Sequence, residues 1–379
     1  MTAPAPHPLS LTAAPFAAAY AHLKGDTRAL YRDLFRQGAA TGLSIDLPPI
    51  VRQLRSESPE GEVIKFVLDL GGTPLRGLSL GDASAPGTAR DNATGTHASE
   101  RRATSESVLI PMIGRGGIRT YTLCVSSQVG CAMGCTFCET AQMGLIRSLE
   151  PHEIVAQWFT AAHVLGIRPK NIVFMGMGEP LDNFDNVIQA IAVLTDHLGA
   201  HVAMNKITVS TVGRIDGMKK LAAQIHQPGW HRLNLAVSVN APNDRIRSQI
   251  MPINRAMPMA ELREVLLDWP KYGGAKICIE YVLIPGVNDA PEHARELAEY
   301  VAPLPACVNL IPYNPRRDSP WPAPDEADVT RFMEWLAAAG AYVKRRRTKG
   351  RDMMGACGQL GNPEIRKRKH TPLTVSSAE

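Results

Sequence analysis

Short β-branched runs alternate with amphipathic helical segments from about residue 121 onward. The strand-like runs are TLCVSS, NIVFMG, KITVSTVG, RLNLAVSV, KICIEYVLI and CVNLIPY. The segment HEIVAQWFTAAHVLG, which follows the first run, has apolar residues at helical spacing: Ile154, Trp158, Ala161, Ala162 and Leu165. Six strand–helix repeats predict an α/β protein with a parallel sheet, curved or partly closed as a partial (βα)6 barrel. We expect its chemistry at the carboxyl ends of the strands.

The sequence patterns before these repeats predict a small helical region and a β-hairpin-like extension. Residues 14–57 carry helical patterns such as FAAAYAHL and LYRDLFRQ, while EVIKFVLDL and ESVLIPM predict two strands of a β-hairpin-like extension. We therefore divide the chain into a small N-terminal helical or accessory domain (1–71), a flexible insert (72–104), the barrel core (105–361) and a basic, disordered C-terminal tail (362–379). The insert is assigned on its richness in Gly, Ala, Ser, Thr and Asn.

Composition narrows the class of protein. The chain has 379 residues, of which 45% are hydrophobic, enough for a sizeable core. The N-terminus lacks a charged region followed by an apolar run, and no segment is apolar for long enough to cross a bilayer. Seven cysteines, three of them bunched, do not form a secreted disulfide framework. We expect a cytoplasmic protein with no membrane partner.

The bunched cysteines, Cys131, Cys135 and Cys138, are spaced C-x3-C-x2-C. No fourth cysteine or histidine lies close enough in sequence to complete a tetrahedral zinc site. Three thiolates on a four-iron cluster would leave one iron open for chemistry. A zinc knuckle with a remote fourth ligand, or chance clustering, remains the alternative.

With Phe137 before its last cysteine, this motif resembles the signature of the radical S-adenosylmethionine (radical SAM) superfamily. The resemblance implies a radical SAM barrel that binds a 4Fe-4S cluster and SAM, which serves as methyl donor and radical source. The sequence is further similar to the RlmN/Cfr family of RNA adenosine methyltransferases. That resemblance rests on TLCVSSQVGCAMGCTFC, MGMGEP (175–180), VSTVG (209–213), SVNAPND (238–244), MPIN (251–254), EYVLIPGVND (280–289), NLIPYNP (309–315) and ACGQL (356–360).

The resemblance implies catalytic roles for three residues. Cys357, in ACGQL, takes a methyl group from SAM and later carries it to an electron-poor adenine carbon. Cys124 resolves the resulting protein–RNA adduct by forming a disulfide with Cys357. Glu106 accepts the ring proton. Without the resemblance, the two cysteines could be packed thiols and Glu106 a surface carboxylate. Cys278 and Cys307 lie in apolar strand runs, and we interpret them as packed cysteines.

SAM-binding residues are also carried over from the resemblance. Glu179 in MGMGEP is expected to meet the α-ammonium of SAM. The dinucleotide-binding fingerprint G-x-G-x-x-G is excluded here, because Leu181 stands where its third glycine would be. The remaining candidates are polar or backbone groups at strand ends: Gly178, Ser210, Ser238, Val239, Asn240 and Asn314. Asn240 stands where the family usually has histidine, and asparagine cannot become a cation.

The net charge of +5 is unevenly distributed, because basic runs at 344–351 and 366–370 flank Cys357. Taken alone such runs are solvated, but together they favour phosphate contacts. The family resemblance implies that the partner is RNA. The resemblance implies methylation of C2 of adenosine in 23S rRNA, with tRNA as a further substrate and a flavodoxin or ferredoxin as a low-potential electron donor. The alternatives are methylation of C8 or of another RNA, and a non-catalytic RNA-binding module with a structural metal.

Overall fold

A computed structural model describes residues 5–71, 103–270, 272, 276–362 and 365. Its strands are β1 (Ile50–Ser58), β2 (Gly61–Asp69), β3 (Thr104–Ile113), β4 (Arg119–Cys124), β5 (Gln128–Gly130), β6 (Leu145–Ser148), β7 (Asn171–Phe174), β8 (Ile207–Thr211), β9 (Asn234–Ser238), β10 (Ile277–Leu283), β11 (Ala306–Pro312) and β12 (Val343–Arg345). Its α-helices are α1 (Ala13–Ala19), α2 (Thr27–Gln37), α3 (Glu139–Met143), α4 (Pro151–Phe159), α5 (Phe184–Thr195), α6 (Ile215–Ile225), α7 (Asp244–Ile250), α8 (Met259–Leu267), α9 (Pro291–Val301) and α10 (Glu326–Ala338).

The main sheet of the described residues has ten strands in the order β1-β2-β3-β4-β7-β8-β9-β10-β11-β12. Strands β1 to β4 pair antiparallel, and the pairs from β4 to β12 are parallel. All six strands predicted from hydrophobic patterns are present, which confirms the α/β class. A seventh parallel strand, the short β12, was not predicted. Because β1 and β12 end the strand order, pairing among the described residues does not close the barrel.

The buried core of the sheet is set by alternation along its strands. In β10, Ile279, Tyr281 and Leu283 are fully buried in the hydrophobic core, whereas Glu280 between them faces a cavity on the opposite side of the sheet. Successive side chains of a strand point to opposite faces, so one face packs on the helices and the other is available for polar groups.

Helix α4 follows the predicted amphipathic pattern. Pro151 occupies its first turn and Glu153 takes part in a capping box at its start. Ile154 and Trp158 are fully buried, as the helical spacing of the apolar residues predicts. The last predicted turns form a π-helical segment over residues 160–164, so the regular helix is shorter than its pattern.

The N-terminal prediction needs correction. Helices α1 and α2 form as expected, but residues 50–58 make strand β1 rather than part of a helical domain. β1 is the edge strand of the main sheet, and its residues are partly or fully exposed rather than buried. The predicted extension is present, since β2 and β3 pair antiparallel. Both strands belong to the main sheet. The N-terminal helices also contact the core, because Phe35 of α2 packs against Trp158 of α4.

The two predicted mobile segments are only partly covered by the structure. Most of the insert at 72–104 lies outside the described residues, and Thr104 begins β3. Most of the tail at 362–379 also lies outside them, although Ile365 is 1% exposed and belongs to the hydrophobic core. No helix among the described residues has the length and apolar character needed to span a bilayer.

Candidate active site

Cys131, Cys135 and Cys138 line one cavity, the main cavity, at the carboxyl ends of the parallel strands. Cys131 and Cys135 are buried and Cys138 is partly exposed. A separate apolar cluster that includes Met251 and Tyr313 surrounds the cysteines. The motif predicted from spacing is therefore assembled into a shared, shielded pocket.

The cysteine arrangement fits a multinuclear cluster. Among the described residues, no three His, Cys, Asp or Glu side chains are close enough together to hold one metal ion. Three thiols that line one cavity can each bind a different iron of a four-iron cluster, which leaves the fourth iron open.

The protein alone disfavours ionisation of these thiols. Burial raises the pKa of Cys131, and the neighbouring Cys138 adds to the rise. Burial also raises the pKa of Cys135 well above its usual value, with further contributions from Cys138 and Cys131. Metal ligation requires thiolates, so a cationic cluster is the kind of group that would stabilise this set.

Most of the predicted SAM-binding residues line the same main cavity as the cysteines. The set that the structure brings together there is Gly178, Glu179, Ser210, Ser238, Asn240 and Asn314. Val239 is the exception, because its side chain is fully buried in the hydrophobic core. Its carbonyl accepts a hydrogen bond from Arg247 Nε at 3.1 Å.

Glu179 is a buried carboxylate that is only 1% exposed. It accepts hydrogen bonds from the backbone amides of Leu181 at 3.1 Å and Val212 at 2.9 Å. Burial raises its pKa to about 7, although the two backbone hydrogen bonds act in the opposite direction. A buried carboxylate with a raised pKa gains from a cationic ligand, which fits the predicted contact with the ammonium group of SAM.

Asn240 occupies the position where the sequence departs from the family pattern. Its φ of 56° is left-handed, a conformation that asparagine tolerates better than most residues. Its Oδ1 accepts from the backbone amide of Val282 at 3.0 Å, and its carbonyl accepts from Asn288 Nδ2 at 2.8 Å. The asparagine thus fixes the turn after β9 and joins it to β10.

Sequence reasoning gave no role to the side chain of Glu280. This buried carboxylate lines the main cavity and accepts hydrogen bonds from Ser210 Oγ at 2.9 Å and Ser238 Oγ at 3.2 Å. The two serines, predicted as ligand contacts, therefore also hold Glu280. The available signal was an acidic residue in the middle of the apolar run ICIEYVLI.

Cys357 lies between two cavities. It lines the main cavity with the three cysteines, and it lines a smaller side cavity together with Cys124. The structure therefore brings both predicted catalytic thiols to one place. Burial raises the pKa of Cys124 to about 12, and the charge of Cys357 adds to that rise.

The Cys357 segment is fixed by hydrogen bonds to strand ends. Asn314 Nδ2 donates to the carbonyl of Cys357 at 3.3 Å, and Asn314 Oδ1 accepts from Arg351 Nε at 3.1 Å. Gln359 Nε2 donates to the carbonyl of Pro315 at 2.9 Å. Asn314, predicted to contact SAM, also supports the cysteine.

Glu106 does not reach the main cavity in this structure. It is 6% exposed and pairs with Lys65 Nζ at 2.7 Å, and it also accepts from the backbone amide of Gly361 at 2.9 Å. Lys65 Nζ in turn donates to the carbonyl of Met354 at 2.9 Å. The ion pair therefore holds the chain on both sides of Cys357.

The first basic run is only partly exposed. Arg345 pairs with Glu326, and Lys349 is 8% exposed, with its Nζ 2.6 Å from the carbonyl of Pro111. Arg346 turns inward, where it lies 3.7 Å from Glu280. Arg347 remains 78% exposed. The expectation that these basic runs contact phosphates stays a prediction, and the second run lies outside the described residues.

Cys278 and Cys307 form a second thiol pair. They lie directly opposite each other on the parallel strands β10 and β11. Both are free and partly buried, and burial raises the pKa of each thiol. Their partial burial accords with the interpretation of strand cysteines that are packed in the fold.

Comparisons with known proteins match the chain to related enzymes. The family model for the radical SAM superfamily matches residues 125–299. A probable dual-specificity RNA methyltransferase RlmN 1 of Protochlamydia amoebophila (strain UWE25) is 44% identical over 270 residues, covering 71% of this chain and 73% of the relative. The dual-specificity RNA methyltransferase RlmN of Anaeromyxobacter dehalogenans (strain 2CP-C) is 43% identical over 285 residues, covering 72% and 74%.

A solved structure extends the similarity to the fold. The crystal structure of a radical SAM methyltransferase from Sphaerobacter thermophilus matches with a TM-score of 0.75 and 32% sequence identity. The match covers 93% of this chain and 98% of that chain. The similarity therefore includes segments on both sides of the cysteine motif.

Proposed function

Because this chain belongs to the RlmN family of radical SAM RNA methyltransferases, we propose that it methylates C2 of an adenosine in 23S rRNA, and an adenosine of tRNA, through a methylated Cys357. Its cofactors are a 4Fe-4S cluster and SAM. One observation carries the proposal: Cys357 lines the cavity of the three cluster cysteines and also the side cavity of Cys124.

The residues of the main cavity suit the binding of both cofactors. Cys131, Cys135 and Cys138 would hold the cluster, and Glu179 would pair with the ammonium group of SAM. When bound, the cluster and SAM supply a 5′-deoxyadenosyl radical. The surrounding apolar cluster keeps water away from the site.

Cys357 carries the methyl group in this proposal. Its thiolate attacks the methyl carbon of one SAM, so that a new C–S bond forms and S-adenosylhomocysteine is displaced. A hydrogen atom would pass from the methyl group to the 5′-deoxyadenosyl radical, which leaves as 5′-deoxyadenosine, and the remaining methylene radical adds to the adenine carbon. The adduct then loses one electron to an oxidised acceptor, such as the flavodoxin or ferredoxin, and the ring proton to a base, which leaves a thioether between Cys357 and RNA. The Cys124 thiolate then attacks the sulfur of Cys357, so that a disulfide forms, and the released methylene carbon takes up a solvent proton to become the methyl group of the base.

Proton acceptance by Glu106 remains part of the proposal. In the present conformation its carboxylate bonds to Lys65 and to the amide of Gly361. For Glu106 to take the ring proton, its carboxylate would have to meet the adenine, because it does not line the main cavity in this conformation. A low-potential flavodoxin or ferredoxin as electron donor and a cytoplasmic location complete the proposal.

Nucleoside mass spectrometry tests this function. RNA is incubated with the cluster-loaded protein, a reductant and SAM whose methyl group carries three deuterium atoms. The proposed route removes one deuterium at Cys357, so 2-methyladenosine should retain two. Direct displacement would retain all three, and 8-methyladenosine would assign the reaction to C8.

Two variants test which cysteine is required for the cluster and which for methylation of RNA. Cys135→Ala should lose the cluster and all SAM cleavage, whereas Cys357→Ala should keep the cluster but make no methylated RNA. One zinc per parent chain, with no iron, would instead support the non-catalytic RNA-binding module.

A further inference from the structure

Arg346 is placed inside the curved sheet by the register of β12. Its backbone amide donates to the carbonyl of Leu310 at 2.8 Å, so the parallel ladder extends one residue beyond the strand. The adjacent Arg345 pairs with Glu326 of α10, whereas Arg346 faces Glu280 of β10. Successive side chains of an extended chain point to opposite sides, which separates these two arginines.

Arg346 shares the side cavity with both predicted catalytic thiols, Cys124 and Cys357. Its side chain is 23% exposed, and its Nη1 donates to Met175 Sδ at 3.3 Å. Two other cationic residues are among the described lining of this cavity. Arg347 and Lys349 each lie 3.3 Å from Glu60, whose carboxylate compensates part of their charge.

Glu280 holds Arg346 in place. One carboxylate oxygen faces Arg346 at 3.7 Å, and the other accepts hydrogen bonds from Ser210 and Ser238. Both serines lie at the ends of neighbouring strands, so the carboxylate is fixed from three sides. The charge of Arg346 interacts with Glu280 and with the thiols of Cys357, Cys124 and Cys278, and the cationic Arg347 and Lys349 line the same cavity.

We propose that Arg346 is a positioning residue that stabilises the thiolates of Cys357 and Cys124 in turn, and that Glu280 orients it. The inference rests on the proposed roles of the two cysteines. Each must lose its proton to solvent before it can attack, the first at a methyl group and the second at a sulfur. Burial opposes that ionisation, and a fixed guanidinium beside both sulfurs offsets the cost.

The electrostatics of the site agree with this placement. Burial raises the pKa of Cys357, whereas the charge of Arg346 acts to lower it. The same arginine acts to lower the pKa of Cys124 against a larger effect of burial. Both thiols therefore depend on one cation, which can serve them successively because each is ionised at a different stage.

Thiol alkylation tests the inference without RNA or SAM. The cluster-loaded parent, Arg346→Gln, Arg346→Lys and Arg345→Gln are treated with iodoacetamide near neutral pH, and peptide mass spectrometry follows Cys357. Arg346→Gln should slow alkylation about tenfold or more, the effect of one unit in the pKa of the thiol. Arg346→Lys should restore most of the rate, and Arg345→Gln, which makes the same charge change on the other side of β12, should match the parent.

The outcomes separate this inference from the proposed function. An unchanged alkylation rate in Arg346→Gln, with normal iron content, would overturn it. If RNA binding and its salt dependence fell in that variant instead, Arg346 would be a phosphate contact. Slower alkylation in a protein that methylates no RNA would support the role of Arg346 while rejecting the proposed function. Arg346→Met provides the same comparison if the glutamine variant does not fold.

Discussion

The backbone amide of Glu139 donates a hydrogen bond to the carbonyl of Gly358 at 2.7 Å. Glu139 directly follows Cys138, one of the three proposed cluster ligands, and Gly358 directly follows Cys357. The two functional segments, remote in sequence, are therefore joined main chain to main chain. The φ of 81° at Gly358 is in the left-handed region, which glycine reaches without the strain of a side chain.

Replacing Cys124 should separate the two halves of the reaction. In Cys124→Ala, Cys357 should still be methylated and should still add to RNA, but no thiol would release the adduct. A denaturing gel should show protein shifted by bound RNA, and nuclease should remove the shift. Cys124→Ala/Cys357→Ala is the control and should show no shift. Parent turnover in the single variant would exclude Cys124 as the resolving thiol.

Gly130, next to Cys131, should be required for cluster assembly. A Cβ built at Gly130 would lie 1.8 Å from the carbonyl oxygen of Gly144, a distance that no side chain can adopt. Gly130→Ala should therefore displace the cysteine segment, and reconstituted protein should contain far less iron than the parent. Gly229→Ala is a matched control, because Gly229 also has positive φ but no atom within 4 Å of its Cβ position.

The control should lose about 1 kcal/mol of stability from backbone strain alone, and it should keep its iron. Iron analysis after anaerobic reconstitution, together with thermal unfolding, distinguishes the two variants. Equal iron content in Gly130→Ala and Gly229→Ala would show that the close approach of Gly130 and Gly144 does not shape the cluster site.

SAM binding should depend on pH through Glu179. Burial raises the pKa of this carboxyl to about 7, so protonation competes with the ammonium group of SAM below that pH. The affinity of cluster-loaded protein should rise between about pH 5.5 and pH 7, by up to tenfold per unit. Calorimetry should show weaker and nearly pH-independent binding for Glu179→Gln. A parallel rise in that variant would assign the pH dependence to another group.

The buried Lys65–Glu106 pair should stabilise the fold and the Cys357 segment together. Both side chains are less than a tenth exposed, so Lys65→Met should leave an unpaired carboxylate and cost about 3–5 kcal/mol. Lys65→Met/Glu106→Gln removes both charges and should recover much of that loss. Denaturant unfolding of the parent, both single variants and the double variant measures the coupling. Additive losses would mean that the two groups do not interact.

The same variants test how Glu106 acts. If Glu106 serves only to hold the segment, the double variant should regain RNA methylation along with stability. If Glu106 also accepts the ring proton, activity should stay low in the stable double variant. Measuring methylation rates beside unfolding free energies therefore separates these roles.

The sequence by itself determined the elements and much of the site. Apolar alternation and helical spacing are local properties, so they identified all six central strands and the apolar face of α4. The three cluster cysteines lie within one short segment, so their spacing alone indicated a shared metal centre. Cys357 and Cys124 required the family resemblance, because an isolated thiol carries no local signal of its function.

Tertiary structure decided which charges meet. Strand β1 lacks buried residues because it is an edge strand, and this edge position depends on its pairing with β2. Arg346 lies within a run of basic residues that looks uniform in sequence, and only the register of β12 turns it toward Glu280. Likewise, Lys65 meets Glu106 because β2 pairs with β3. Such contacts depend on strand pairing across long sequence separations, and local patterns do not encode that pairing.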